Sequence, residues 1–131
     1  KFATPGVNLG LFCSTPMVAL SRNVNKKNAM EMLLTGDFVS AKKAKEIGLI
    51  NNAVSKEKLT SEVERLAEKI ASKSTMTVAT GKKAFYAQVE MDLSKAYQYT
   101  SKTMTENLLK HDAKEGINAF IEKRPPDWKD E

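Results

Sequence analysis

Apolar positions along this chain fall mostly into helical stripes. Leu59, Val63, Leu66 and Ile70 recur at spacings of four, three and four, which lines one face of a helix that Ser55 is placed to cap. Leu93, Tyr97, Thr100, Met104 and Leu108 form a second stripe behind a capping Asp92. Ala29, Met30, Leu33 and Leu34 gather on one face behind Asn25, and Thr35-Gly36-Asp37 ends that helix. Shorter helices are expected over about 14–24, with Pro16 in the first turn, and from a Ser40 cap through Ile47, with Gly48 just past the end. A further helix is expected over about 78–89. Asp112 and Glu115 have the spacing of a capping box, opening a last helix that should bury Ile117, Phe120 and Ile121. Pro125 and Pro126 cannot continue that helix, and Trp128 beyond them should dock on a neighbouring surface.

Only two segments read as strands. Lys1–Thr4 is short and is stopped by Pro5-Gly6; Leu49–Val54 is the other. Two such strands make no self-sufficient sheet, so partner strands are expected from outside this chain.

Composition adds few constraints. The 131 residues are 41% hydrophobic and 28% charged, an ordinary globular balance. No apolar run approaches the roughly 20 residues that span a bilayer. The chain opens on Lys1, so a processed start is expected. Cys13 is the only cysteine, which excludes an intrachain disulfide and suits a reducing compartment. The net charge of +5 is carried largely by lysines on helix faces, such as Lys42, Lys43 and Lys45, where solvation is the default role. No nucleic-acid recognition motif accompanies it, and aromatics do not alternate with the basic residues as a single-strand platform requires.

The usual catalytic signals are missing. His111 is the only histidine, so no His cluster can hold a metal, and its expected place is a solvent-facing turn between helices. Gly81-Lys82-Lys83 resembles the end of a phosphate loop but lacks the earlier glycine and the following Ser or Thr. Glu62, Glu64 and Glu68 sit on polar helix faces, where surface pairing is the expected role.

Three landmarks carry a family resemblance. The run from Ala29 through Glu31-Met32 to Thr35-Gly36-Asp37, continued by Ala41, Ala44 and Gly48-Leu49, is one. The closing Glu115-Gly116, Ala119-Phe120, Glu122-Lys123-Arg124 and Trp128 is another, and the opening Phe2 to Gly6 is the third. In this order and at these separations they resemble the C-terminal half of enoyl-CoA hydratase/isomerase family proteins. The stretch Pro5 to Thr15 is similar to the enoyl-CoA hydratase domain-containing protein 3 group.

The resemblance implies an α/β crotonase fold, a spiral of ββα turns, of which this chain is a mainly helical part with a few short strands. Residues 1–74 would close the spiral core and 75–131 would form a helical trimerisation region. It also implies acyl-CoA thioester substrates, with coenzyme A as part of the substrate and no separate cofactor, a homotrimer or dimer of trimers, and lyase or isomerase chemistry in fatty acid metabolism. The compartment would be mitochondrial or a bacterial cytoplasm.

In such proteins two backbone N–H groups polarise the thioester oxygen, and both would lie in the N-terminal half. One of the two hydratase glutamates would lie there too. The other should follow Pro5, where this chain has Gly6. A glycine transfers no proton, so no catalytic side chain is assigned in this chain. Two readings follow: an enzyme acting on some thioester as a full-length oligomer, and a non-catalytic homologue that has lost hydratase activity. Lys123 carries over as a contact to coenzyme A phosphates, for which a flexible ammonium is suited; the competing role is a cation at a helix C-terminus. Leu11 and Phe12 would face the acyl group. Where many members place an aromatic near the adenine, this chain has Met104.

Overall fold

Backbone conformation follows the caps and stripes closely in a computed structural model that describes residues 1–131. The helices are α1 (Ser14–Asn23), α2 (Lys26–Thr35), α3 (Ala41–Glu46), α4 (Leu59–Ala71), α5 (Thr75–Gln88), α6 (Leu93–Leu108) and α7 (His111–Glu122). Asn25, Ser40 and Asp92 each accept a hydrogen bond from the backbone N–H three residues on, as caps do. Ser74 does the same for α5, so that helix begins three residues before the first apolar position that marks it in the sequence. Ser55 is followed instead by a 3-10 turn, Lys56–Lys58, before α4 starts.

The chain packs as two compact units, Lys1–Leu59 and Thr60–Glu131. This parting differs in kind from the family-based division at 74: one describes packing within this chain, the other an architecture implied by relatives.

The first unit has a conventional apolar core. Leu20 and Val24 from α1 meet Ala29, Met32 and Leu33 from α2, and Val39, Ile47 and Leu49 pack around them. Ala44 of α3 is wholly buried, whereas Ala41 is exposed. The expected strand at Lys1–Thr4 reduces to one antiparallel bridge, in which Phe2 and Val39 exchange N–H···O bonds of 2.9 and 2.7 Å. Beside it the Thr4 hydroxyl donates to the Met32 carbonyl at 2.9 Å in a buried position.

The expected strand at Leu49–Val54 is absent. The Leu49 and Ile50 amides both donate to the Ala44 carbonyl and wrap the end of α3. No neighbouring strand offers them a ladder, and without one the backbone groups find local partners.

The second unit is built differently. α5 and α6 lie against each other, and the buried apolar residues of the unit are Ala84, Ala96 and Ala119. Most of its large apolar side chains are outside. Val63, Leu66 and Ile70 of the α4 stripe are exposed, and so are Met104, Ile117, Phe120 and Ile121. The expectation that α7 buries the last three is therefore corrected: within this chain nothing covers that face.

A capping box is also corrected. α7 starts at His111 with Lys110 before it, and Asp112 lies inside the first turn. Its carboxylate is buried and accepts from the Lys129 and Asp130 amides at 2.8 and 3.0 Å. The returning C-terminal segment gives it two donors that a helix start alone does not.

Candidate functional site

The residues singled out in the sequence lie in both units, and each place is described by itself. In the first unit Pro5–Leu9 form a 3-10 turn, and Gly36 sets how close that turn comes to α2. Gly36 takes φ of 66°, and a Cβ there would meet the side-chain Nδ2 of Asn8 at 2.8 Å and Cγ1 of Val7 at 3.1 Å. The left-handed backbone is what calls for glycine, and the side chains of Asn8 and Val7 close in on the space it leaves.

Gly6 is confined in another way. Its amide donates to Cys13 Sγ at 3.2 Å, and its carbonyl accepts from the Leu11 amide at 3.0 Å. A Cβ on Gly6 would lie 2.7 Å from Cys13 Sγ and 2.7 Å from the Leu11 carbonyl oxygen. The segment Gly6–Cys13 therefore closes over the volume that any side chain at position 6 would occupy. Leu11 and Phe12, assigned from the sequence to the acyl pocket, are exposed on this segment. Cys13 holds the segment together as an acceptor. Nothing in its spacing announces that partnership, because a glycine amide is not a residue pattern.

In the second unit the landmark Glu122-Lys123-Arg124 ends α7. The Lys123 amide bonds to the Phe120 carbonyl at 3.3 Å and the Arg124 amide to the Ala119 carbonyl at 3.0 Å, the paired bonds of a Schellman motif. The left-handed position of that motif usually holds glycine; here Lys123 occupies it at φ 55°. Such a conformation costs a non-glycine residue on the order of 1–3 kcal/mol.

Arg124 gathers the nearby carboxylates. Its two terminal nitrogens grip Glu115 as a fork, and Nε donates to Glu122 at 2.6 Å. Lys123 is exposed and its ammonium has no partner. The Glu115–Arg124 pairing was not legible in advance, since the two residues lie nine apart across a helix end and share no periodic face.

The C-terminal segment beyond α7 is strapped back onto the unit. Glu115 also accepts from the Asp127 amide at 2.8 Å, Trp128 Nε1 donates to the Ser72 carbonyl at 3.0 Å, and the Met76 amide donates to Asp130. Trp128 thus docks as expected. With Met104, Leu108, Ile117 and Phe120 it lines an apolar groove of about 590 Å³. His111 opens α7 with its side chain half exposed and Nδ1 3.3 Å from Asp112 Oδ1. No three His, Cys, Asp or Glu side chains gather closely enough to hold a metal ion.

Two carboxylates make this strap sensitive to acid. Burial pushes the Asp112 carboxyl up, but hydrogen bonds from Ser74, the Lys129 amide, His111 and the Asp130 amide outweigh it and bring it from 3.8 to about 2. Glu115 is brought from 4.5 to about 2, first by the Arg124 fork and then by the Asp127 amide. A carboxylate with a depressed folded pKa contributes stability above its unfolded value and loses it as the pH falls through the folded one. The strap should therefore hold above about pH 5 and loosen between about pH 4.5 and 2. Trp128 is the only tryptophan and reports on it directly. Its emission is expected to shift within that window, and emission unchanged down to about pH 2 contradicts the assignment.

Comparison with known proteins places these features. The family model described as enoyl-CoA hydratase/isomerase matches residues 1–131. The mitochondrial enoyl-CoA hydratase domain-containing protein 3 of Rattus norvegicus is 55% identical over 128 residues, covering 98% of this chain and 43% of that protein. The crystal structure of human enoyl-CoA hydratase domain-containing protein 3 superposes with a TM-score of 0.90 at 52% identity, covering 97% of this chain and 50% of that one. An enoyl-CoA hydratase structure from Mycobacterium smegmatis gives 0.92 at 51% identity, covering 97% and 49%. The chain thus spans less than half the length of the curated relative it matches and about half of the solved chains. These likenesses show a portion of the crotonase fold, one almost without strands. With every residue inside the family model and relatives more than half identical, the chain belongs to the enoyl-CoA hydratase/isomerase family.

Proposed function

We propose that this chain is the coenzyme A-binding C-terminal part of a protein acting on acyl-CoA thioesters, working as a homotrimer or dimer of trimers. The remainder of the fold supplies the two amides that polarise the thioester oxygen. The reaction is of lyase or isomerase type within fatty acid metabolism. Either a mitochondrion, the compartment in the rat relative's name, or a bacterial cytoplasm suits such a protein.

The observation that carries this reading is Lys123. It is an exposed cation at the end of α7 whose neighbouring carboxylates are already engaged by Arg124. An unpaired ammonium is available to a phosphate, and a charge-assisted hydrogen bond of this kind contributes about 1.5–3 kcal/mol. Lys123→Met, made in the polypeptide that contains these residues together with the rest of the fold, is expected to weaken coenzyme A binding about tenfold or more. Calorimetric titration measures it, and an unchanged affinity removes Lys123 from the site.

Gly6 favours a second reading, in which the fold binds thioesters without hydrating them. No carboxylate can stand at that position while Gly6–Cys13 keeps its closed form. Leu11 and Phe12, exposed on that segment, remain available to an acyl group in either reading.

A further inference from the structure

Lys123 presents an anomaly that the phosphate reading alone does not explain. The motif ending α7 has all its backbone bonds, yet its left-handed position holds lysine where glycine is the unstrained choice. Strained backbone persists where the surroundings over-determine it, and an outlier of this kind points toward function. The surroundings here are specific. The guanidinium of Arg124, the very next residue, is fixed by both oxygens of Glu115 and by Glu122, and it also donates to the Pro125 carbonyl at 3.2 Å. Glu115 in turn accepts the Asp127 amide. The chain after Lys123 is therefore tied back to the middle of α7, while the chain before it is helix.

The same arrangement governs charge. Glu122 ends this helix and Glu115 lies further back in it, and each would attract an ammonium. Arg124 occupies both, with a fork geometry that a lysine cannot reproduce. We infer that Glu115 and Arg124 are positioning residues for an anionic ligand: their pairing holds Lys123 in its left-handed conformation and keeps its ammonium free of internal partners. Neither touches the ligand in this role; both act through Lys123. The inference rests on the reading that Lys123 meets coenzyme A phosphates, and it adds that the geometry of that contact is set in part by Glu115, eight residues back along the chain.

A double-mutant cycle tests it, because coupling between two positions appears only if they act through each other. Wild type, Lys123→Met, Glu115→Gln and the double variant are titrated with coenzyme A and with pantetheine, which lacks the phosphates. Arg124→Lys, which keeps the charge and loses the fork, is titrated alongside them and carries the test should Glu115→Gln fail to fold. Glu115→Gln and Arg124→Lys are each expected to weaken coenzyme A binding about three- to tenfold and to leave pantetheine unchanged. In the Lys123→Met background Glu115→Gln, or in its place Arg124→Lys, should add no further loss. A loss shared by both ligands, a loss undiminished without Lys123, or no loss at all overturns the positioning role. Full coenzyme A affinity in Lys123→Met alone overturns the reading beneath it.

Discussion

Gly6→Glu is expected to fail as a restored hydratase and to destabilise the first unit. The substitution returns the carboxylate that the family pattern places after Pro5, and on sequence grounds alone it should help. Space decides otherwise. The new Cβ would sit 2.7 Å from the Leu11 carbonyl oxygen, a backbone atom that cannot swing aside as a side-chain tip can. The segment must open, breaking the Leu11 amide bond to Gly6 and the Gly6 amide bond to Cys13. Overpacking of this kind costs about 1–3 kcal/mol. Gly6→Ala separates steric from electrostatic causes, since the clash is at Cβ and alanine brings no charge. Both variants should unfold at lower urea by similar amounts, and neither should hydrate crotonyl-CoA in the polypeptide carrying the rest of the fold. Hydration by Gly6→Glu at wild-type stability would show that the segment moves aside freely and that position 6 is merely vacant.

Leu33→Ala is expected to cost the chain about 2–5 kcal/mol, whereas Phe120→Ala should cost less than about 0.5 kcal/mol. Phenylalanine is the larger side chain, and truncated in a core it would lose more. Leu33 is 2% exposed among Leu20, Met32 and Val24, so its removal leaves a cavity. Phe120 is 85% exposed on the outer face of α7, so little burial is lost. Urea unfolding of the two variants, followed by far-ultraviolet circular dichroism, gives the comparison. A Phe120→Ala loss as large as that of Leu33→Ala means that something covers this face in solution. The contrast follows from how the units are built: the first buries leucine, methionine and valine, and the second buries alanines while most of its large apolar side chains face outward.

That outward face shows where reading the chain in one dimension succeeds. The stripe of Leu59, Val63, Leu66 and Ile70 identifies α4, and the stripe from Leu93 to Leu108 identifies α6, although their side chains are exposed. Periodicity marks a face meant for burial and says nothing about what buries it. Asn25, Ser40 and Asp92 likewise marked helix starts, because a cap and its amide are three residues apart and need no distant partner. The family was legible for a similar reason, since its landmarks are runs of residues in order.

Other features depended on what meets across the fold. Asp112 has the spacing of a cap, yet it binds the returning C-terminal chain, whose amides come from residues 17 and 18 positions away. Leu49–Val54 has the composition of a strand and forms none, because a strand is defined by a neighbour. Gly6 reads as a missing carboxylate in the sequence and as a filled volume in the structure, and Lys123 reads as a charge until its backbone angle and the engagement of Arg124 are seen. Helices, caps and kinship were thus written into local order, where each residue's partner lies within a turn. The closed segment at Gly6, the strap on Asp112 and the clamp behind Lys123 were settled by tertiary packing, because their energies come from groups that sequence spacing does not bring together.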